Sequence, residues 1–166
     1  MDTFNPKLYV GTYAKYNNGS IFGKWICLAN YEDVSCFFDY CKLLHFDESD
    51  PEFMFQDVEG LPDSWYCESY IDPAIWDILS LDKDVQLQVL IYHHATGYSP
   101  QQCLDGYENM FYFAEEDAWD TMLELYPQVQ QILDLNLDFV DVSEHQYEQQ
   151  FTRVSINKKT YFVEVH

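Results

Sequence analysis

Basic side chains are scarce in this chain: 8 Lys and Arg stand against 29 Asp and Glu, giving a formal charge of −21 and a pI near 4.1. Such a charge repels DNA, RNA and anionic lipid alike, so no direct contact with nucleic acid or membrane is expected. No apolar run approaches the roughly 18 residues that mark a bilayer-crossing helix. The opening Met1-Asp2-Thr3-Phe4-Asn5-Pro6-Lys7 lacks the basic-then-apolar order of a secretory leader. Cys27, Cys36, Cys41, Cys67 and Cys103 are odd in number and include no C-x-x-C pair. They read as reduced thiols of a cytoplasmic protein rather than as a disulfide framework. In that compartment the sequon Asn18-Gly19-Ser20 is only a turn.

Motifs for phosphate, metal or general acid–base chemistry are missing as well. Gly19-Ser20-Ile21-Phe22-Gly23-Lys24-Trp25 places three residues between its glycines and Trp after its Lys; a phosphate loop needs four and then Ser or Thr. The run Asp47-Glu48-Ser49-Asp50-Pro51-Glu52 has neither the alternating oxygens nor the glycine and terminal glutamate of a calcium loop, and reads as solvated. His93 and His94 are adjacent, so on a helix they diverge by about 100° and cannot share a metal. Carboxylate pairs such as Glu115-Glu116 are too numerous to single out a general acid and base. The expectation is a protein with no catalytic residue, no metal and no cofactor.

What the chain does hold is apolar and aromatic bulk: 48% hydrophobic residues, with 14 Tyr, 12 Phe and 4 Trp. A disordered acidic chain is poor in such residues, so this one folds. A hairpin over 8–16 and 21–28 turns at Asn17-Asn18-Gly19-Ser20. A helix capped by Asn30 runs to about 45, with Val34, Phe37, Phe38, Cys41 and Leu44 on one face, and a strand follows over 53–57. Asp72-Pro73 opens a helix carrying Ile75, Trp76, Ile78 and Leu79. Another covers 84–95 and ends at Gly97, and Ser99-Pro100 opens a third. A strand at 110–113 precedes helices over 115–126, 127–135 and 143–151, and a terminal hairpin pairs 152–156 with 160–165 around Asn157-Lys158-Lys159. The class is α+β, in three small α/β domains at 1–61, 62–108 and 109–166. Domains so small bury a limited share of their surface. Large rings increase the apolar area buried per residue, which accounts for the aromatics without a cofactor.

The distribution of charge is uneven. Residues 43–152 hold 24 acids and one base, Lys83, while the flanks are near balance. Partners for surface ion pairs are therefore lacking, and self-repulsion favours an elongated body. Helices rise about 1.5 Å per residue, and duplex DNA carries about one charge per 1.7 Å of axis. Carboxylates spaced every few residues can thus approach phosphate density and occupy a groove built for the DNA backbone. The acids expected to do so are Asp57, Glu59, Asp72, Asp77, Asp82, Asp84, Asp105, Glu108, Glu115, Glu116, Asp117, Asp120, Glu124, Asp134, Asp138, Asp141, Glu144 and Glu148. Two classes stay open on these grounds: an acidic binding protein aimed at a DNA-binding protein (a nucleoid protein among them), or an ordinary acidic globular protein, such as an enzyme, whose charge is incidental.

Two blocks carry a resemblance. Tyr9-Val10-Gly11-Thr12-Tyr13-Ala14-Lys15-Tyr16-Asn17-Asn18-Gly19-Ser20-Ile21-Phe22-Gly23-Lys24-Trp25 resembles the opening signature of the ArdA antirestriction proteins. So does Asp50-Pro51-Glu52-Phe53-Met54-Phe55-Gln56-Asp57-Val58-Glu59-Gly60, followed by Glu68-Ser69. Beyond about position 70 the likeness is one of length, charge and element order. The resemblance implies a mobile-element or phage-type inhibitor of type I restriction–modification enzymes. Three α/β domains in an elongated, curved homodimer would imitate bent DNA and occupy the groove of the methyltransferase core with its specificity subunit, without a cofactor. It also implies an antirestriction motif around Leu133 to Phe151, near a C-terminal dimer contact made by Leu133, Phe139, Tyr147 and Phe151; the alternative is that Tyr147 and Phe151 pack inside the third domain. Gln149-Gln150 stands where the family's Arg-Asp pair is usual.

Overall fold

A computed structural model describes residues 4–117, 120–121, 124 and 151–166. The chain divides into two compact units, Met1–Leu87 with Ser99–Leu104, and Gln88–Tyr98 with Asp105–His166. Both mix helix and sheet, as an α+β chain should.

The first unit is built on a three-stranded antiparallel sheet of order β2-β1-β3, from β1 (Lys7–Thr12), β2 (Lys24–Cys27) and β3 (Phe53–Glu59). The connection from β1 to β2 differs from the tight hairpin expected at Asn18-Gly19. β1 stops at Thr12, whose hydroxyl accepts the Lys15 N–H at 3.3 Å and caps a short helix α1 (Tyr13–Asn17). Gly19, at φ +80°, then ends that helix: its N–H donates to the Tyr16 carbonyl and the Ser20 N–H to that of Lys15, both at 2.9 Å. This pair of bonds is a Schellman closure, which also needs a residue free to adopt positive φ. Asn-Gly suits a strand turn and a helix closure alike, because both ask for the same residue. Gly23 answers a different need, because a Cβ there would lie 2.7 Å from the Val10 carbonyl oxygen.

Helix α2 (Val34–Leu44) is capped by Asp33, not Asn30; the Asp33 carboxylate accepts the Cys36 N–H at 2.8 Å, while 28–30 forms a 3-10 turn. Its apolar face packs on β3. Phe37 is fully buried and meets the rings of Phe55 and Trp76, with Phe38 stacked on Phe53 and Phe55. The register of β3 on β1 shifts between Tyr9 and Val10, which face Asp57 and Phe55 and leave Gln56 unopposed. Strict alternation would put Asp57 and Glu59 on the same side as the buried Phe55. The bulged residue reverses the parity, so both carboxylates point outward.

The rest of this unit carries a short ribbon of β4 (Tyr66–Cys67) and β5 (Tyr70–Ile71), too short to leave a periodicity in the sequence, and α3 (Ala74–Leu79). Asp72 accepts the Ala74 N–H at 3.0 Å, as its place before Pro73 predicts. Helix α4 (Lys83–Thr96) begins in this unit and ends before Gly97, at φ +73°. Helix α5 (Pro100–Gly106) opens on a capping box, with the Ser99 hydroxyl accepting the Gln102 N–H at 3.4 Å and the Gln102 amide oxygen accepting the Ser99 N–H at 3.1 Å.

The second unit has its own antiparallel sheet, ordered β6-β8-β7, from β6 (Met110–Ala114), β7 (Thr152–Ile156) and β8 (Lys159–Val165). Within this sheet Phe113, Val154, Ile156, Tyr161, Phe162 and Val163 are buried. The terminal hairpin is one residue tighter than expected: Ile156 pairs with Lys159, and Asn157 and Lys158 take φ of 51° and 65° as a two-residue turn. Where a helix was expected to start at 115, Glu115–Asp117 is a 3-10 turn. The helices expected over 127–135 and 143–150 lie outside the described residues. Phe151 is not helical; it leads into β7 and sets its ring 5.4 Å from that of Phe113. Among the described residues no helix is long and apolar enough to cross a membrane.

Candidate functional site, an acidic surface

Of the acids expected on the binding surface, Asp57, Glu59, Asp77, Asp82, Asp84, Asp105, Glu108, Glu115, Glu116, Asp117, Asp120 and Glu124 are exposed, and only Asp72, engaged in capping, is half-buried. Asp134, Asp138, Asp141, Glu144 and Glu148 lie outside the described residues, as do Leu133, Phe139 and Tyr147.

In the first unit the carboxylates sit where local structure fixes them. Asp77 lies in the first turn of α3 and Asp84 in that of α4, where the helix dipole favours negative charge. The turn between the two helices is held by a buried amide: Gln86 donates to the carbonyls of Leu79 and Leu81 at 3.0 and 2.8 Å. The segment bearing Asp77, Asp82 and Asp84 is thereby pinned from inside. Among the described residues none of these three has an ion-pair partner. Around β3, burial together with the charges of Asp63 and Asp57 raises the Tyr66 phenol above its ordinary pKa. Burial and the Glu68 charge do the same for Tyr13. Asp63 and Glu68, in the same stretch of chain, are exposed as well.

Charge compensation is more local than composition suggested, since among the described residues Lys7, Lys15, Lys42, Arg153 and Lys159 each hold a carboxylate. Lys7 meets Glu59 across the β1–β3 ladder at 3.2 Å, and Lys42 meets Asp39 at 2.8 Å. Within the second unit Arg153 donates to Glu115 at 2.9 Å and Lys159 to Glu116 at 3.2 Å. Those two carboxylates are exposed but not unopposed.

Asp47 and Glu48 depart from the solvated loop expected there. The Lys15 ammonium lies 2.7 Å from Glu48, 2.9 Å from Asp47 and 3.2 Å from His45 Nδ1, and 5.5 Å from the Phe22 ring centroid. Glu48 also accepts the Thr12 hydroxyl at 2.7 Å. His45, Asp47 and Glu48 form the one ligand-like cluster among the described residues, and the lysine occupies the place of a cation in it. Because His45 Nδ1 faces a donor, its Nε2 carries the proton and donates to the Val10 carbonyl at 3.3 Å.

Burial, assisted by Lys15, lowers the His45 pKa below its ordinary 6.5. The unfolded chain therefore takes up this proton before the folded one does. Above pH 6.5 the group adds no pH dependence, and as pH falls from 6.5 toward the depressed value stability is lost. Thermal melts between pH 7 and pH 5 should show a decline that is shallower in His45→Gln than in the parent chain; parallel curves would remove His45 as the cause.

The buried thiols are not poised for nucleophilic chemistry, since burial pushes Cys41 and Cys103 up to about 12. The Asp33 hydrogen bond raises Cys36 as well. Comparison with curated proteins and with solved structures found no match. The family model for the antirestriction protein ArdA matches residues 8–162, nearly the whole sequence. On that match, which takes in both units and the exposed carboxylates just described, the chain belongs to the ArdA antirestriction protein family.

Proposed function

We propose that the protein is a DNA mimic that inhibits type I restriction–modification enzymes, occupying the DNA groove of the methyltransferase core and its specificity subunit with an array of carboxylates. The observation that carries this reading is the outward presentation of Asp77, Asp82 and Asp84, which have no ion-pair partner among the described residues, around a turn that Gln86 holds from within, in a chain of antirestriction family. Each of the segments 1–61, 62–108 and 109–166, read as domains, contributes to the array in an elongated, curved homodimer. Its dimer contact uses Leu133, Phe139, Tyr147 and Phe151. No catalytic step is involved, because occupancy alone excludes DNA.

Competition with a duplex for a purified type I methyltransferase tests the proposal. The protein should displace DNA competitively. If about 6–10 cationic contacts are shared with DNA, its affinity should fall by about 10³–10⁵ between 50 and 200 mM salt. Affinity that ignores salt, or inhibition with DNA still bound, would refute it.

A further inference from the structure

We infer that Arg153 and Lys159 limit the affinity of the mimic by neutralising Glu115 and Glu116 within the same chain, so that the terminal hairpin acts as a built-in attenuator. This rests on the mimic reading and adds to it a pair of affinity-setting residues. The two cations come from a hairpin in an otherwise acid-rich unit, and both reach the turn that follows β6. Lys158 and Lys159 line one open cleft of about 320 Å³ with Glu115 and Glu116. Next to these paired acids, Asp117 and Asp120 are exposed with no cation bonded to them among the described residues. A cationic groove approaching this surface must displace Arg153 and Lys159 or accept two carboxylates already in ion pairs. An exposed pair of this kind is held weakly and exchanges readily, so its removal leaves the fold intact.

The experiment is the same DNA competition, run at low and moderate salt on full-length variants whose folding is checked by circular dichroism. Arg153→Gln with Lys159→Gln should tighten binding about fivefold at low salt, with a steeper salt dependence, because two more carboxylates meet the target unopposed. Lys24→Gln with Lys42→Gln makes the same change in net charge elsewhere, at a tyrosine contact and the Asp39 pair, and should stay within about twofold of the parent. Equal tightening by both double variants would overturn the inference in favour of overall charge. No tightening, or weakening, by the hairpin variant would overturn it too. Asp77→Asn, Asp82→Asn and Asp84→Asn in one chain separates the two levels. If that variant weakens binding while the hairpin variant does nothing, the attenuator fails and the mimic stands; if it leaves binding unchanged, the mimic reading falls and the attenuator with it.

Discussion

Reversing Asp77, Asp82 and Asp84 to Lys should weaken displacement of DNA by about 100-fold at low salt, the largest functional loss expected from so few changes. Each exposed carboxylate makes a screened contact of about 0.5 kcal/mol, and reversal replaces attraction with repulsion of similar size. Three positions together therefore cost about 3 kcal/mol, roughly two decades. Any one of them alone should do little. The variant should fold, because all three side chains are exposed and the turn is held by the backbone carbonyls that Gln86 engages. Reversal of Glu115, Glu116, Asp117 and Asp120 is a less direct test, since it also strands Arg153 and Lys159 beside new cations. A folded Asp77/Asp82/Asp84 reversal that competes as well as the parent would overturn the mimic reading, which these three carboxylates carry.

Phe37→Ala should be the most destabilising single truncation in the first unit, at about 3–5 kcal/mol. The ring is fully buried and lies within 5.3–6.2 Å of the rings of Tyr31, Phe38, Phe55 and Trp76. It joins α2, β3 and α3 at one point, and three separate elements cannot all close on the cavity left behind. Phe37→Leu retains most of the volume and should cost less than about 1.5 kcal/mol. Urea unfolding followed by tryptophan fluorescence would report both. A small loss for the alanine variant would mean that the neighbouring rings collapse into the gap.

Much of this architecture can be read from residue spacing. The period of Phe37, Phe38, Cys41 and Leu44 marks the buried face of α2, and Asp72-Pro73 and Ser99-Pro100 mark helix starts that the hydrogen bonds reproduce. Misreadings fall where one residue type serves two ends. Asn18-Gly19 closes a helix instead of turning a hairpin, and Asp33 takes the capping place assigned to Asn30 three residues earlier. The outward aim of Asp57 and Glu59 depends on the bulge at Gln56, which simple alternation does not report. For the candidate surface, exposure of the acids follows from their abundance. Which of them are neutralised does not, because Arg153 and Glu115 are 38 positions apart and meet only once β7 lies in the sheet.

The sheet orders have a consequence for synthesis. In the first unit the central strand, β1, leaves the ribosome before both of its partners, whereas in the second the central strand, β8, emerges after both. Met110-Phe111-Tyr112-Phe113-Ala114 therefore spends the translation of some forty-five further residues without its ladder, an apolar, uncharged stretch of the kind that nascent chains aggregate through. Glu108 on one side and Glu115, Glu116 and Asp117 on the other flank it with like charge. During that interval the same acids act as gatekeepers against chain-to-chain association.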